Sequence, residues 1–198
     1  MNSAKIDHCN RPGLMPVEQA INTMLDSLSA VNEQHTLDVV SAQGLVLAQP
    51  VYSDINVPPA ANSAMDGYAF AMAGLPASGE LTLIGSSFAG APYQGKLGAG
   101  QCVRIMTGGV IPVGADTVVM QENTEPTADN IRILHTPKKG DNIRRCGEDI
   151  KAGQLLLDAG RKISAVDIGL LCSIGVSKIQ VFRRLKVALF STDRKSVV

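Results

Sequence analysis

Residues 102–120 read CVRIMTGGVIPVGADTVVM. Two apolar runs, 102–106 (CVRIM) and 116–120 (DTVVM), flank a stretch broken by Gly108, Gly109, Pro112 and Gly114. A helix interior does not tolerate that punctuation, whereas short strands joined by turns use it. The same pattern continues outward. Further candidate strands lie at 36–40 (TLDVV), 51–55, 66–70, 81–85, 130–134 (NIRIL) and 154–157. The 19 glycines and 10 prolines fall mostly between them. Many short strands with frequent turn signals, and no strict repeat period, predict a β-rich body.

Two helices interrupt this pattern. Pro16 suits a first helical position, and Val17, Ala20, Ile21, Met24, Leu25 and Leu28 follow at three- and four-residue spacing. The spacing predicts an amphipathic helix over 16–31 whose apolar face packs on the core. A second helix is predicted over 165–174, with Ser164 as N-cap, Asp167 in the first turn and Gly175 closing the end. Strands at 178–182 (KIQVF) and 185–191 (LKVALFS) come next. The second is almost continuously apolar, as in a strand buried on both faces of a parallel α/β sheet. It reads as the first strand of a further domain, which the few remaining residues are too short to supply. The fold class expected is mainly β with a few helices, an α+β chain.

Composition narrows the function. The chain has 198 residues, with 18 basic and 18 acidic side chains and a hydrophobic fraction of 45%. Zero net charge argues against nucleic acid or an anionic membrane as partner. No apolar run reaches the roughly 18 residues of a membrane span. The polar start MNSAKIDHCNRPG lacks the apolar centre of a signal peptide. A cytoplasmic protein is therefore expected. Cys9, Cys102, Cys146 and Cys172 form no CxxC pair, and His8, His35 and His135 are equally scattered. Neither a zinc site nor a nucleophile–histidine arrangement is visible.

Three polar segments remain. In 62–70 (NSAMDGYAF), Asp66 stands immediately before Gly67. Asp-Gly is a common turn dipeptide, and it is equally a way to offer a carboxylate to a metal or substrate. In 104–116, a strand runs into Thr107, Gly108 and Gly109. This is either a plain glycine turn or a loop whose N–H groups and threonine hydroxyl meet an anion. In 142–150 (NIRRCGEDI), Arg144 and Arg145 precede Glu148 and Asp149. They either pair on the surface or divide the work: Arg144 binds an oxyanion and Asp149 helps hold Mg²⁺.

The segments LMPVEQA, NSAMDGYAF, RIMTGGVIPVGADTVVMQE, NIRRCGEDI, AGQLLLDAGRKI and VALFST occur in this order. In that order they resemble the molybdopterin molybdenumtransferases, and are similar to the gephyrin E domain. The resemblance runs from about residue 14 to residue 192. It implies an enzyme that takes adenylylated molybdopterin and molybdate, with Mg²⁺, releases AMP and leaves molybdenum on the dithiolene sulfurs. It implies that Asp66, Thr107, Arg144 and Asp149 carry the chemistry. Asp66 and Asp149 would serve the metal, and Thr107, Gly108 and Arg144 the anionic ligand. It also implies an elongated β-rich N-terminal region: a discontinuous domain (16–50 plus 150–182) around an inserted β domain (51–149). Residues 1–15 read as a disordered lead, and 183–198 as the first strand of a missing α/β domain with a tail unlike the family. A homodimer is implied, with molybdopterin adenylyltransferase as a possible upstream partner, and the first helix packs partly against an α/β domain.

One departure stands out. Family members continue past VALFST with Gly-Asp-Glu-Leu and the α/β molybdopterin-binding domain, whereas here Asp193 follows Thr192 and the chain ends RKSVV. The tail at 193–198 reads as an artificial join, a frameshift or a premature end, leaving an N-terminal portion expected to be inactive alone and to expose apolar surface on 185–191 and the first helix. The alternative is a non-catalytic dimerisation or partner-binding module. An unrelated Mg²⁺-dependent phosphohydrolase would explain the acids but not the ordered motifs. Preference for molybdate or tungstate has no sequence signal.

Overall fold

Turn-rich sequence of this kind builds sheets from short strands, and the computed structural model, which describes residues 15–190, is mostly β with two helices. In chain order the elements are α1 (Val17–Ser27), β1 (Gln34–Asp38), β2 (Val51–Tyr52), β3 (Asn62–Ser63), β4 (Gly67–Phe70), β5 (Glu80–Ser87), β6 (Gln101–Ile105) and β7 (Thr117–Met120). β8 (Thr124–Pro126), β9 (Asn130–Ile133), β10 (Ile143–Arg144), β11 (Leu155–Leu157), α2 (Ala165–Ser173) and β12 (Lys178–Phe182) complete them. The expected lead at 1–15 falls almost wholly, and the tail from 191 wholly, outside the described residues.

Six strands form one sheet in the order β7-β4-β6-β5-β9-β8, antiparallel except for the parallel β5–β6 pair. β4 lies inside it and is buried on both faces. Alternation sends Tyr68 and Phe70 into a cluster with Leu81, Cys102, Val119 and Ile131. Ala69 goes the other way, to Val103, Ile105, Val118 and Leu97. Burial pushes the Cys102 thiol up to about 12, so it packs as an inert apolar group.

A separate cluster gathers residues far apart in sequence: Val39, Leu47, Leu157, Ile163, Leu171, Ile179 and Val181. β1 and β12 pair antiparallel beside it, and β2 pairs with β11. The chain thus leaves this cluster after β2, builds the six-stranded sheet, and returns to it at β11. α2 is capped as expected. Ser164 accepts from the Asp167 N–H at 3.2 Å, and Asp167 accepts from the Ser164 N–H at 2.9 Å.

Two expectations, a core-packed first helix and a strand at 185–191, are corrected, while the exposed apolar surface expected on both segments is seen. The apolar face of α1 is not buried: none of its residues is, and Val17, Met24, Leu25 and the following Leu28 are all more than half exposed. Amphipathic spacing marks a face that can pack, but the other described residues do not bury it. Likewise 185–190 is not a strand. Leu185, Val187, Leu189 and Phe190 are largely exposed, in a segment without ladder bonds. Apolar composition alone does not make a strand, because the strand state needs a neighbour for its backbone groups.

Candidate functional site

The site is organised by a two-residue strand. β3 has little side-chain bulk, and its backbone groups are spent on both sides. On one side Gly108 N–H donates to Ser63 O at 2.8 Å, Ser63 N–H to Gly109 O at 2.9 Å, and Ile111 N–H to Ala61 O at 3.0 Å. On the other side β3 pairs antiparallel with β10, placing Ser63 opposite Ile143 and Asn62 opposite Arg144. Ala64 N–H donates to Asn142 O at 2.9 Å. Further back, Gly147 N–H donates to Pro58 O and Asp149 N–H to Val57 O, each at 2.9 Å. The three polar segments singled out in the sequence therefore lie side by side, with 57–66 in the middle.

Within this frame two side-chain pairs form. Asp66 Oδ1 accepts from Thr107 twice, from its N–H at 2.7 Å and its hydroxyl at 2.8 Å. These bonds, backbone first, hold the Asp66 carboxyl below its usual range, and Arg104 adds to the effect. Asp66 is thus a fixed, ionised carboxylate with Oδ2 carrying no hydrogen bond among the described residues. Thr107→Val should remove the hydroxyl bond and move the Asp66 titration upward. Carboxyl-carbon NMR across the acid range reads this directly, and an unmoved titration would mean Thr107 does not set the charge.

The second pair is Arg144 with Asp149. One Nη2 donates to both carboxylate oxygens at 2.6 Å, and Nε lies 3.5 Å from Glu148 Oε1. The hydrogen bond to Asp149, then its charge, raises the already high pKa of Arg144. No hydrogen bond joins this pair to the Asp66 pair. At the junction Asn62 Oδ1 is buried without a donor.

The anion-loop reading of Thr107 and Gly108 meets an obstacle. Thr107 N–H and hydroxyl serve Asp66, Gly108 N–H serves Ser63, and Gly109 N–H donates to Met106 O at 2.8 Å. The loop has no spare donor for an anion. The metal reading meets another. Asp149 has both oxygens on Arg144, and no three His, Cys, Asp or Glu side chains cluster for a metal among the described residues. As placed, Asp149 is committed to Arg144, and Asp66 keeps one carboxylate oxygen without a hydrogen bond among the described residues.

Sequence reasoning passed over two members of this region. Arg104 lies over the Tyr68 ring, 5.0 Å from its centroid, and its Nη2 donates to Gln121 Oε1. Gln121 N–H in turn donates to Asp66 O at 3.0 Å. Arg104 sits inside the RIMTGG motif, but its spacing carries no sign of the Tyr68 and Gln121 partners, which the sheet supplies. A hollow of about 430 Å³ lined by Thr36, Gln49, Tyr52, Asp54, Lys178 and Gln180 contains none of the motif residues.

Residues 15–175 match the family model described as MoeA N-terminal region (domain I and II). The chain belongs to this family. Among curated relatives it is 39% identical over 185 residues to the molybdopterin molybdenumtransferase of Haemophilus influenzae, covering 93% of this chain and 46% of the relative. It is 35% identical to the molybdopterin molybdenumtransferase of Nostoc sp., covering 94% and 44%. With Dictyostelium discoideum gephyrin it shares 32% identity, covering 90% and 27%. The solved molybdopterin biosynthesis moeA protein of Pyrococcus horikoshii OT3 superposes with a TM-score of 0.75 at 30% identity, over 85% of this chain and 46% of that one. The sequence resemblance and the expected β-rich fold class both hold. This MoeA N-terminal region spans less than half the length of the curated relatives it matches. No helix among its described residues is long and apolar enough to cross a membrane.

Proposed function

We propose that this chain supplies the Asp66–Thr107 and Arg144–Asp149 face of a site that inserts molybdate into adenylylated molybdopterin, releasing AMP, in molybdenum cofactor biosynthesis. The observation carrying this reading is the packing of all three polar motifs against 57–66, with the Asp66 carboxylate held in place by two hydrogen bonds from Thr107. Both reactants are anions, so bringing them together needs fixed positive charge. Arg144 is the group for this, since its planar guanidinium can hold two oxygens of a tetrahedral anion. Asp149 positions Arg144 and neutralises it until an anion competes. Thr107 acts through Asp66 rather than on the ligand. Divalent-cation chemistry, where the family uses it, would find one open carboxylate oxygen at Asp66. The remaining ligands would come from substrate, water or other protein.

The same reading places the protein in the cytoplasm as a homodimer, downstream of a molybdopterin adenylyltransferase. A second reading, a docking module without its own turnover, is favoured by the bare apolar faces of α1 and 185–190. AMP release separates the two. The chain alone, and a chimera in which it replaces the matching region of the Haemophilus influenzae relative, are given adenylylated molybdopterin, molybdate and Mg²⁺. The expected result is turnover by the chimera. A folded chimera that binds its partner copy yet releases no AMP would favour the docking reading.

A further inference from the structure

We propose that Arg104 is a further binding residue of this site, taking the tetrahedral oxyanion that the Thr107–Gly109 loop has no donor to hold. The inference rests on the reading above, that the site handles anions. The loop's own N–H groups go to Asp66, Ser63 and Met106. Arg104, on the strand that leads into this loop, is a cation without a carboxylate partner among the described residues.

Its setting differs from that of the paired arginines. Arg132 is matched by Glu80, Arg144 by Asp149, Arg161 by Asp167 and Arg183 by Glu33. Arg104 has no carboxylate within ion-pair distance among the described residues. It is held by neutral groups instead: the ring of Tyr68, its direct cross-strand partner, the Gln121 Oε1, and Met106 Sδ at 3.9 Å. Those contacts fix the guanidinium without cancelling its charge. Nε and Nη1 carry no hydrogen bond among the described residues. A long side chain already immobilised loses less entropy when it binds a ligand. Gln121 links it to the Asp66 backbone, so the oxyanion would lie beside the Asp66 carboxylate. That carboxylate is turned onto Thr107 rather than onto the arginine.

The shared chemistry is a tetrahedral oxyanion, either molybdate or the phosphate of a nucleotide. The arginine Nε–Hε signals of the whole chain are followed by NMR during separate titrations with sodium molybdate and with AMP. A saturable shift of the Arg104 signal is expected with at least one of them, and which one identifies the source. Arg104→Lys should weaken that binding about 10-fold and Arg104→Met should abolish it. Arg132→Met should leave it unchanged. If Arg104→Met does not fold, the wild-type signal and the lysine variant still decide. Movement of Arg144 alone, with Arg104 silent, would overturn this inference and leave the proposed function standing. Silence of both arginines towards both anions would overturn the two together.

Discussion

Gly67→Ala is expected to prevent the six-stranded sheet from forming. Gly67 opens β4 and pairs with Ile105 on one side and Met120 on the other. A Cβ built there would stand 1.9 Å from Val119 O and 2.9 Å from Val119 C. Both are backbone atoms of a paired strand, so relief requires β7 to move away from β4. That would open the contacts of Tyr68 and Phe70 with Val119. The loss should be at least about 4 kcal/mol, at the severe end for a single methyl, because backbone displacement and core loosening add. Gly108→Ala is the comparison. Gly108 has φ +82° but open space around its Cβ, so only backbone strain of about 1 kcal/mol is expected. Urea unfolding followed by circular dichroism measures both. A Gly67→Ala protein within about 1 kcal/mol of wild type would mean that β4 and β7 do not pack as described.

Asp167→Ala should give the second large loss, in the other cluster. The Asp167 side chain is buried at the start of α2, where it accepts from Ser164 N–H, Ser164 hydroxyl and Arg161. Arg161 first, then the Ser164 bonds, outweigh burial and bring its pKa down to about 2 from 3.8. The unfolded chain therefore binds the proton more tightly than the native one. The corresponding stability is fully present above about pH 4 and fades as pH falls through about 2. It amounts to about 2 kcal/mol, and loss of the helix cap with it brings the neutral-pH effect of Asp167→Ala to about 3 kcal/mol. Asp167→Asn, which keeps an acceptor for Ser164, should lose about half as much. The difference between wild type and Asp167→Ala should shrink as pH is lowered from 5 towards 2. A difference constant over that range would contradict an ionised, buried Asp167.

How much of this could be read beforehand follows from where the determinants lie. Ser164, Asp167 and Gly175 are local signals, acting within one helix, and they placed α2 to within a residue of its observed end. The runs CVRIM and DTVVM became β6 and β7 because an apolar β-branched run bounded by turns needs only a neighbouring strand, and β4 supplies one. Gly67 is the instructive failure. Next to Asp66 it reads as a turn, but its smallness is required by Val119, which is 52 residues away in sequence. The pairs β3 and β10 are two residues long and have no periodicity to detect. Their register comes from the loops on either side. The partners of the Thr107 and Gly108 donors are illegible in the sequence for a related reason. A glycine-rich loop advertises N–H groups, while the tertiary partners that consume them, Asp66 and Ser63, lie more than 40 positions upstream. The run at 185–190 shows the converse: strand-like composition without a partner stays unpaired.

The functional reading depends above all on Asp66. The decisive measurement is AMP release by the chimera carrying Asp66→Asn, with its unfolding midpoint recorded alongside. Asparagine keeps an oxygen for Thr107 and removes the charge. A fall in kcat/KM of about 100-fold or more at an unchanged midpoint is expected, the size seen when a fixed electrostatic group is lost from a reacting centre. Wild-type turnover by that variant would mean that the paired motifs around β3 are architecture and that the chemistry is done elsewhere.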